Sequence, residues 1–315
     1  GLLANVRNQQ HDLHAEYGGV VPEIASRDHL ERIIPLLELA LKNANCTQDD
    51  IDAIAYTKGP GLVGSLLIGA TAAKTLAMAW DKPAVAVHHL EGHIMAAFLD
   101  KDKPEFPFIC LLVSGGHSLL LQVEEFGKYK IIGQTLDDAV GEAFDKVAQL
   151  LNLGYPGGPA IELAAQSADS DNPIVLPVPM LKKPGLDFSF SGLKTAVRQI
   201  VEQGDLKDLQ FRNNVAAAFE KAAVDALLLK LKRALKITTY SRIVCVGGVS
   251  ANLRLRKAIK QDFATSGVEV YYPALEYCTD NAAMIAIAGC TRWQQDDIDS
   301  SSEIDVVSRW PLTEI

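Results

Sequence analysis

Two apolar runs, Phe108-Ile109-Cys110-Leu111-Leu112-Val113 and Ser118-Leu119-Leu120-Leu121-Gln122-Val123, are joined by Ser114-Gly115-Gly116-His117. Short strand-like runs on either side of a glycine turn form a β-hairpin, so at least part of the sheet must be antiparallel. The flanking sequence alternates strands and helices. Strands are expected at the opening residues from Gly1, at 51–57, 84–87, 129–132, 242–246 and 268–272, and helices from Ser26 to about Asn43, from Ser65 to about Trp80, over 192–203, 211–236 and 280–293, and from Leu253. Residues 154–191, interrupted by Pro156, Pro159, Pro173, Pro177, Pro179 and Pro184, are expected to be loop. This is an α/β chain with no repeat period.

A length of 315 residues with 48% hydrophobic residues suffices for two cores. The expected arrangement is two α/β domains with a cleft between them. A net charge of −9 argues against a generic nucleic-acid binder. The stretch 221–260 departs from that balance, with ten Lys/Arg against the single acid Asp225, and is a candidate surface for a polyanion or else a solvated helix face. The five cysteines form no C-x-x-C pair and read as reduced core residues of a cytoplasmic protein. No apolar run is expected to approach the roughly 20 residues that span a bilayer.

The chemistry concentrates in His88-His89-Leu90-Glu91-Gly92-His93. His89 and His93, four apart on a helix, share a face, and Asp280 at a second helix start could complete a three-ligand metal site with open positions. A pair of surface histidines is the plainer alternative. In the zinc-protease motif H-E-x-x-H the glutamate follows the first histidine, whereas Glu91 stands two places after His89, so a metallopeptidase loses its general base. The turns Ser114–His117 and Gly247-Gly248-Val249-Ser250-Ala251-Asn252 let backbone N–H groups approach phosphate, or are simply tight turns. Neither a P-loop nor a dinucleotide fingerprint is present. Asp145 is open to a ribose or to Lys146, and Gly157-Gly158 to a ligand or to a sharp turn.

In order along the chain, YGGVVPE (17–23), GPGLVG (59–64), HHLEGH (88–93), LLVSGGH (111–117), GEAFDK (141–146), YPGGP (155–159), DFSFSGLKT (187–195), GGVSAN (247–252) and CTDNAAMIA (278–286) resemble the TsaD/Kae/Qri family, most closely its bacterial form. These are tRNA threonylcarbamoyladenosine transferases once called glycoprotein endopeptidases. The resemblance implies a two-domain actin-like, Hsp70-like fold with a nucleotide cleft, domain I spanning 1–88 with 282–315 and domain II 89–281. It implies transfer of a threonylcarbamoyl group from threonylcarbamoyl-adenylate to N6 of the adenosine 3′ to the anticodon, position 37, in tRNAs reading codons that begin with A. His89, His93 and Asp280 would hold one divalent metal per subunit, iron or zinc. Val113, Ser114, Gly115, Gly116, His117, Asp145, Gly158 and Asn252 would hold the adenylate, a site that an ATP- or ADP-like nucleotide could also occupy. The implied partners are tRNA, a paralogous TsaB-like actin-like subunit and a small TsaE-like ATPase, with a homodimer as a further form and no membrane. A non-catalytic nucleotide-dependent scaffold is the other reading of such a fold. The family pattern opens with a strand and an E-T-S-C-D-E-T-like phosphate turn that does not precede Gly1, so the chain is expected to be incomplete at that end.

Overall fold

The computed structural model describes residues 1–301 and 303–315. The chain forms two compact units, 1–103 with 280–315 and 104–279. The first carries α1 (His11–Ala15), α2 (Pro22–Ala44), β1 (Ile54–Gly59), α3 (Val63–Trp80), β2 (Ala84–His88) and α4 (His89–Met95). The second carries β3 (Phe108–Val113), β4 (Ser118–Glu125), β5 (Lys128–Gln134), α5 (Val140–Leu150), α6 (Gly157–Gln166), α7 (Ser191–Gln203), α8 (Leu209–Ile237), β6 (Arg242–Val246), α9 (Leu253–Phe263), β7 (Glu269–Tyr271) and α10 (Leu275–Cys278). The chain then returns to the first unit as α11 (Ala282–Gln294).

In the first unit β1 and β2 pair in parallel from Ile54↔Ala84 to Thr57↔Val87. Residues 1–10 join no strand, contrary to the expectation, and Leu2 and Leu3 stand exposed. α2 starts at Pro22, ahead of the expected Ser26, because proline at the first helical position has its φ already set and lacks an N–H that would go unused there. On α3, Leu66, Ala70, Ala73 and Ala77 recur at helical spacing and face inward, Ala70, Ala73 and Ala77 packing with Tyr56 and Ala84. At 18 residues α3 is long and apolar enough by composition to cross a membrane, which corrects the expectation that no run approaches that length.

The second unit is built on a five-stranded sheet in the order β5-β4-β3-β6-β7. The expected hairpin pairs β3 with β4 from Phe108↔Val123 to Val113↔Ser118, while β3 pairs β6 in parallel from Ile109↔Ile243 to Leu112↔Val246. β3 is therefore central and buried along its whole length. Helices α5, α6, α7, α8 and α9 add to its core, where Phe144 and Phe219 meet edge to face at 5.0 Å. Within the expected loop 154–191, α6 forms directly after Pro156.

The sequence reading placed the domain changes at 88/89 and 281/282, whereas the packed units change at 103/104 and 279/280. α4 packs against α11, so the helix bearing His89 and His93 belongs to the first unit, as does Asp280.

Candidate functional site

α4 begins at His89 because His88 caps it: the His88 Nδ1 accepts from the Leu90 N–H at 3.1 Å. That fixes the proton on Nε2, which donates to the Trp310 carbonyl at 3.0 Å, and the ring lies 4.8 Å from the Trp310 ring. The third histidine of the motif is thus structural. His89 and His93 follow on one face, with ring centroids 4.8 Å apart. Asp280 immediately precedes α11, whose cap Asn281 accepts from the Met284 N–H at 2.9 Å.

The Asp280 Oδ1 lies 3.5 Å from the His89 Nε2 and 3.2 Å from the His93 Nε2, and the three candidate ligand atoms fall within 4.8 Å of one another. Donors about 2.0–2.2 Å from one ion at tetrahedral angles stand about 3.3–3.5 Å apart, which the two Asp280–histidine spacings match. His93 is 1% exposed; its Nε2 meets the Asp280 Oδ1 at 3.2 Å, and its Nδ1 has no hydrogen-bond partner among the described residues. A buried imidazole nitrogen without a partner is costly. Asp280, with 76% of its side chain exposed, leaves the outer side of the triad open. Protein atoms crowded about its inner side push the Asp280 carboxyl upward, but hydrogen bonding and charge from His89 and His93 outweigh them and hold the group well below the usual range. Burial disfavours a charged His89, yet Asp280 raises its pKa overall.

In the second unit the two glycine-bearing turns are brought side by side at the carboxyl ends of parallel β3 and β6. In the first turn the Ser114 N–H donates to the His117 carbonyl at 2.8 Å and the His117 N–H to the Ser114 Oγ at 3.2 Å, leaving Gly115 and Gly116 exposed. The second begins at Gly247, which has φ 88° and whose missing Cβ would stand 2.4 Å from the Val113 carbonyl oxygen. Such a crevice beyond the carboxyl ends of parallel strands is where α/β sheets take ligands. α5 starts beside the first turn, its Val140 N–H donating to the Ser118 Oγ at 2.9 Å. Asp145 on α5 accepts from the Gly157 N–H at 2.7 Å, which sets it at the start of α6 next to Gly158.

A model of the family described as tRNA N6-adenosine threonylcarbamoyltransferase, TsaD, matches residues 1–287. The chain belongs to the TsaD family. Among solved structures it is similar to full-length HypF in a phosphate- and nucleotide-bound form, with TM-score 0.60 and 14% identity over 83% of this chain and 49% of that one. It is also similar to T. kodakarensis HypF, with TM-score 0.62 and 14% identity over 84% of this chain and 43% of that one. The chain therefore spans about half the length of these HypF chains or less. At such identity the likeness shows the fold, which is of the actin-like, Hsp70-like α/β class.

In this TsaD-family chain the Asn252 carboxamide is fully engaged. Its Nδ2 donates to Glu220 at 2.7 Å and to Glu162 at 3.1 Å, and its Oδ1 caps α9 by accepting from the Leu255 N–H at 2.9 Å. Sequence reasoning missed both carboxylates. Glu162 lies one turn beyond Gly158 on α6, a spacing that could have drawn notice, and Glu220 is the one acid in the run Ala216–Ala223. Burial lifts the Glu162 carboxyl above its ordinary range and the Glu220 charge adds to the effect.

Four of the ten basic residues of 221–260 are ion-paired among the described residues. Lys232 pairs with Asp262, Arg242 with Glu105 and Glu269, Arg254 with buried Glu220, and Lys221 with Asp225. Lys230 and Arg233 donate to carbonyls of the 181–185 loop, and Arg256 lies over the Tyr272 ring. These contacts give part of the stretch a structural role and leave its excess of bases in place.

Proposed function

We propose that the chain transfers a threonylcarbamoyl group from threonylcarbamoyl-adenylate to N6 of the adenosine 3′ to the anticodon, position 37, in tRNAs reading codons that begin with A. The family match supports the reaction class, and the observation that carries the reading is the His89–His93–Asp280 triad, with Asp280 at 3.5 and 3.2 Å from the two histidine nitrogens and His93 buried. The N6 amine attacks the carbamoyl carbonyl carbon, the bond to the adenylate phosphate breaks, AMP departs and the N6 proton leaves to solvent. A divalent ion bound at the triad, iron or zinc, would supply Lewis acidity toward donor oxygens. His89, His93 and Asp280 would hold that ion. The backbone N–H groups of the Val113–His117 and Gly247–Asn252 turns would hold the adenylate phosphate, with Asp145 and Gly158 toward its ribose. Because adenine N6 is a weak nucleophile, positioning carries much of the rate.

The partners in this reading are tRNA, a TsaB-like actin-like subunit and a TsaE-like ATPase, with a homodimer as the alternative assembly and the cytoplasm as the location. Exposed Leu30, Ile34 and Leu39 on α2 and Leu67 and Met78 on α3 support helices of the first unit as the docking face. A peptidase lacks support, since the Glu91 carboxylate is taken by Arg292. The test supplies unmodified tRNA, the adenylate donor and partner subunits, and reads threonylcarbamoyladenosine by mass spectrometry of the nucleosides. Product that falls at least 100-fold in the H89A/H93A double variant is expected. Nucleotide-linked association with no product would mark a scaffold and overturn the proposal.

A further inference from the structure

Glu91 is the ionisable residue of α4 for which the proposed chemistry has no use, and it is 0% exposed. It sits in sequence between two candidate ligands, and its Oε2 accepts from the Arg292 Nε at 2.7 Å. The Arg292 side chain is 12% exposed and is also ion-paired with Asp297. Arg292 lies on α11, the helix that begins two residues after Asp280. One ion pair thereby ties the helix carrying two of the three donors to the helix whose start carries the third.

The packing beside this pair is close. A Cβ on Gly92 would stand 2.7 Å from the Ile285 Cδ1 and 3.4 Å from the Met284 Cγ, so α4 rests directly on α11 at the turn that holds the triad. A carboxylate and a guanidinium this far out of water each need the other, and removing one leaves the other uncompensated. Metal sites tolerate donor displacements of only about 0.2 Å. A small slip of α4 along α11 is enough to spoil the 3.2 and 3.5 Å spacings around the Asp280 Oδ1.

We infer that Glu91 and Arg292 are positioning residues for the metal site: the pair sets the registry of α4 on α11 and so the geometry of His89, His93 and Asp280. The inference rests on the metal reading above. It is tested by titrating the intact chain with Co2+, following the ligand-field absorption, for the natural sequence, E91Q and E91D. If the natural chain takes up no ion, the metal reading itself fails. If it binds, E91Q is expected to raise the Co2+ Kd by about 10–100-fold and to shift the absorption bands, with the far-UV circular dichroism of the folded chain unchanged. E91D keeps the charge and shortens its reach by one methylene, so it is expected to shift the bands as well, which a role in charge balance alone would not do. A folded E91Q or E91D with the natural spectrum and a Kd within twofold overturns the inference. Should E91Q fail to fold, E91D decides by the same two readings.

Discussion

A buried imidazole nitrogen with no partner costs about 1–3 kcal/mol, so the His93 Nδ1, unpartnered among the described residues, weighs against the fold. Active-site residues commonly carry such a cost for function. H93L is accordingly expected to leave the metal-free chain as stable as the natural one, or more stable by about 1 kcal/mol, while abolishing metal uptake; chelated samples in urea titrations check the first part and bound-metal analysis the second. Thiol chemistry gives another residue-scale prediction. Burial pushes the Cys245 thiol up to about 12 and the Cys110 thiol well above its usual value, whereas Cys290 is exposed. An aromatic disulfide reagent at pH 8 is expected to react first at Cys290, with the fastest phase absent in C290S. The i, i+4 pair His89 and His93 was legible because helical periodicity is local. Glu220 and Glu162 were not, because only folding brings α6 and α8 to Asn252.

At the scale of elements, the segment 187–195 shows how two adjacent acids fix a helix start. Asp137 Oδ1 accepts from the Phe190 and Ser191 N–H groups at 2.7 and 3.3 Å, and its Oδ2 accepts from the Ser189 hydroxyl at 2.5 Å. Asp138 accepts from Lys146 at 2.8 Å and from Lys194 on α7 at 2.9 Å. Burial pushes the Asp138 carboxyl upward, but the two lysines outweigh it and leave its folded pKa below the ordinary 3.8. A depressed carboxylate contributes stability that is present above its unfolded value and is lost as pH falls through the folded one. D138N is therefore expected to cost about 1–3 kcal/mol at pH 7, and its difference from the natural chain is expected to shrink as urea titrations move toward pH 3. A gap independent of pH would show that the lysines do not act through the ionised form. The hairpin β3–β4 and the long helices were legible from period and length. The opening strand was misread because an apolar run becomes a strand only where another strand pairs with it, and α6 was hidden by prolines that start a helix as readily as they end one.

At the scale of the molecule, the two units have unequal cores. The second packs Phe108, Leu111, Leu120, Phe188 and Phe219 around its five-stranded sheet, whereas the first buries Val85, Val87, Leu90, Ile94, Met95 and Met284 beside a cluster of Tyr56 and alanines at 70, 73, 77 and 84. The larger core of the second unit contributes more hydrophobic burial, so the first unit would gain more from any ion it binds. Which unit carries the triad followed from the packing of α4 on α11, a long-range fact that put Asp280 outside what spacing alone could assign. All three tryptophans, Trp80, Trp293 and Trp310, fall in the first unit, so indole emission reports on that unit while far-UV circular dichroism is weighted toward the second. In a thermal scan of the metal-free chain the emission change is expected to precede the dichroism change. An ion at 100 times its Kd adds about 2.7 kcal/mol to whatever binds it. Saturating Zn2+ is thus expected to move the emission midpoint upward by several degrees and to leave the late dichroism transition nearly in place, with no such shift in H93L. Coincident transitions that move together would show instead that the ion stabilises the chain as one cooperative body.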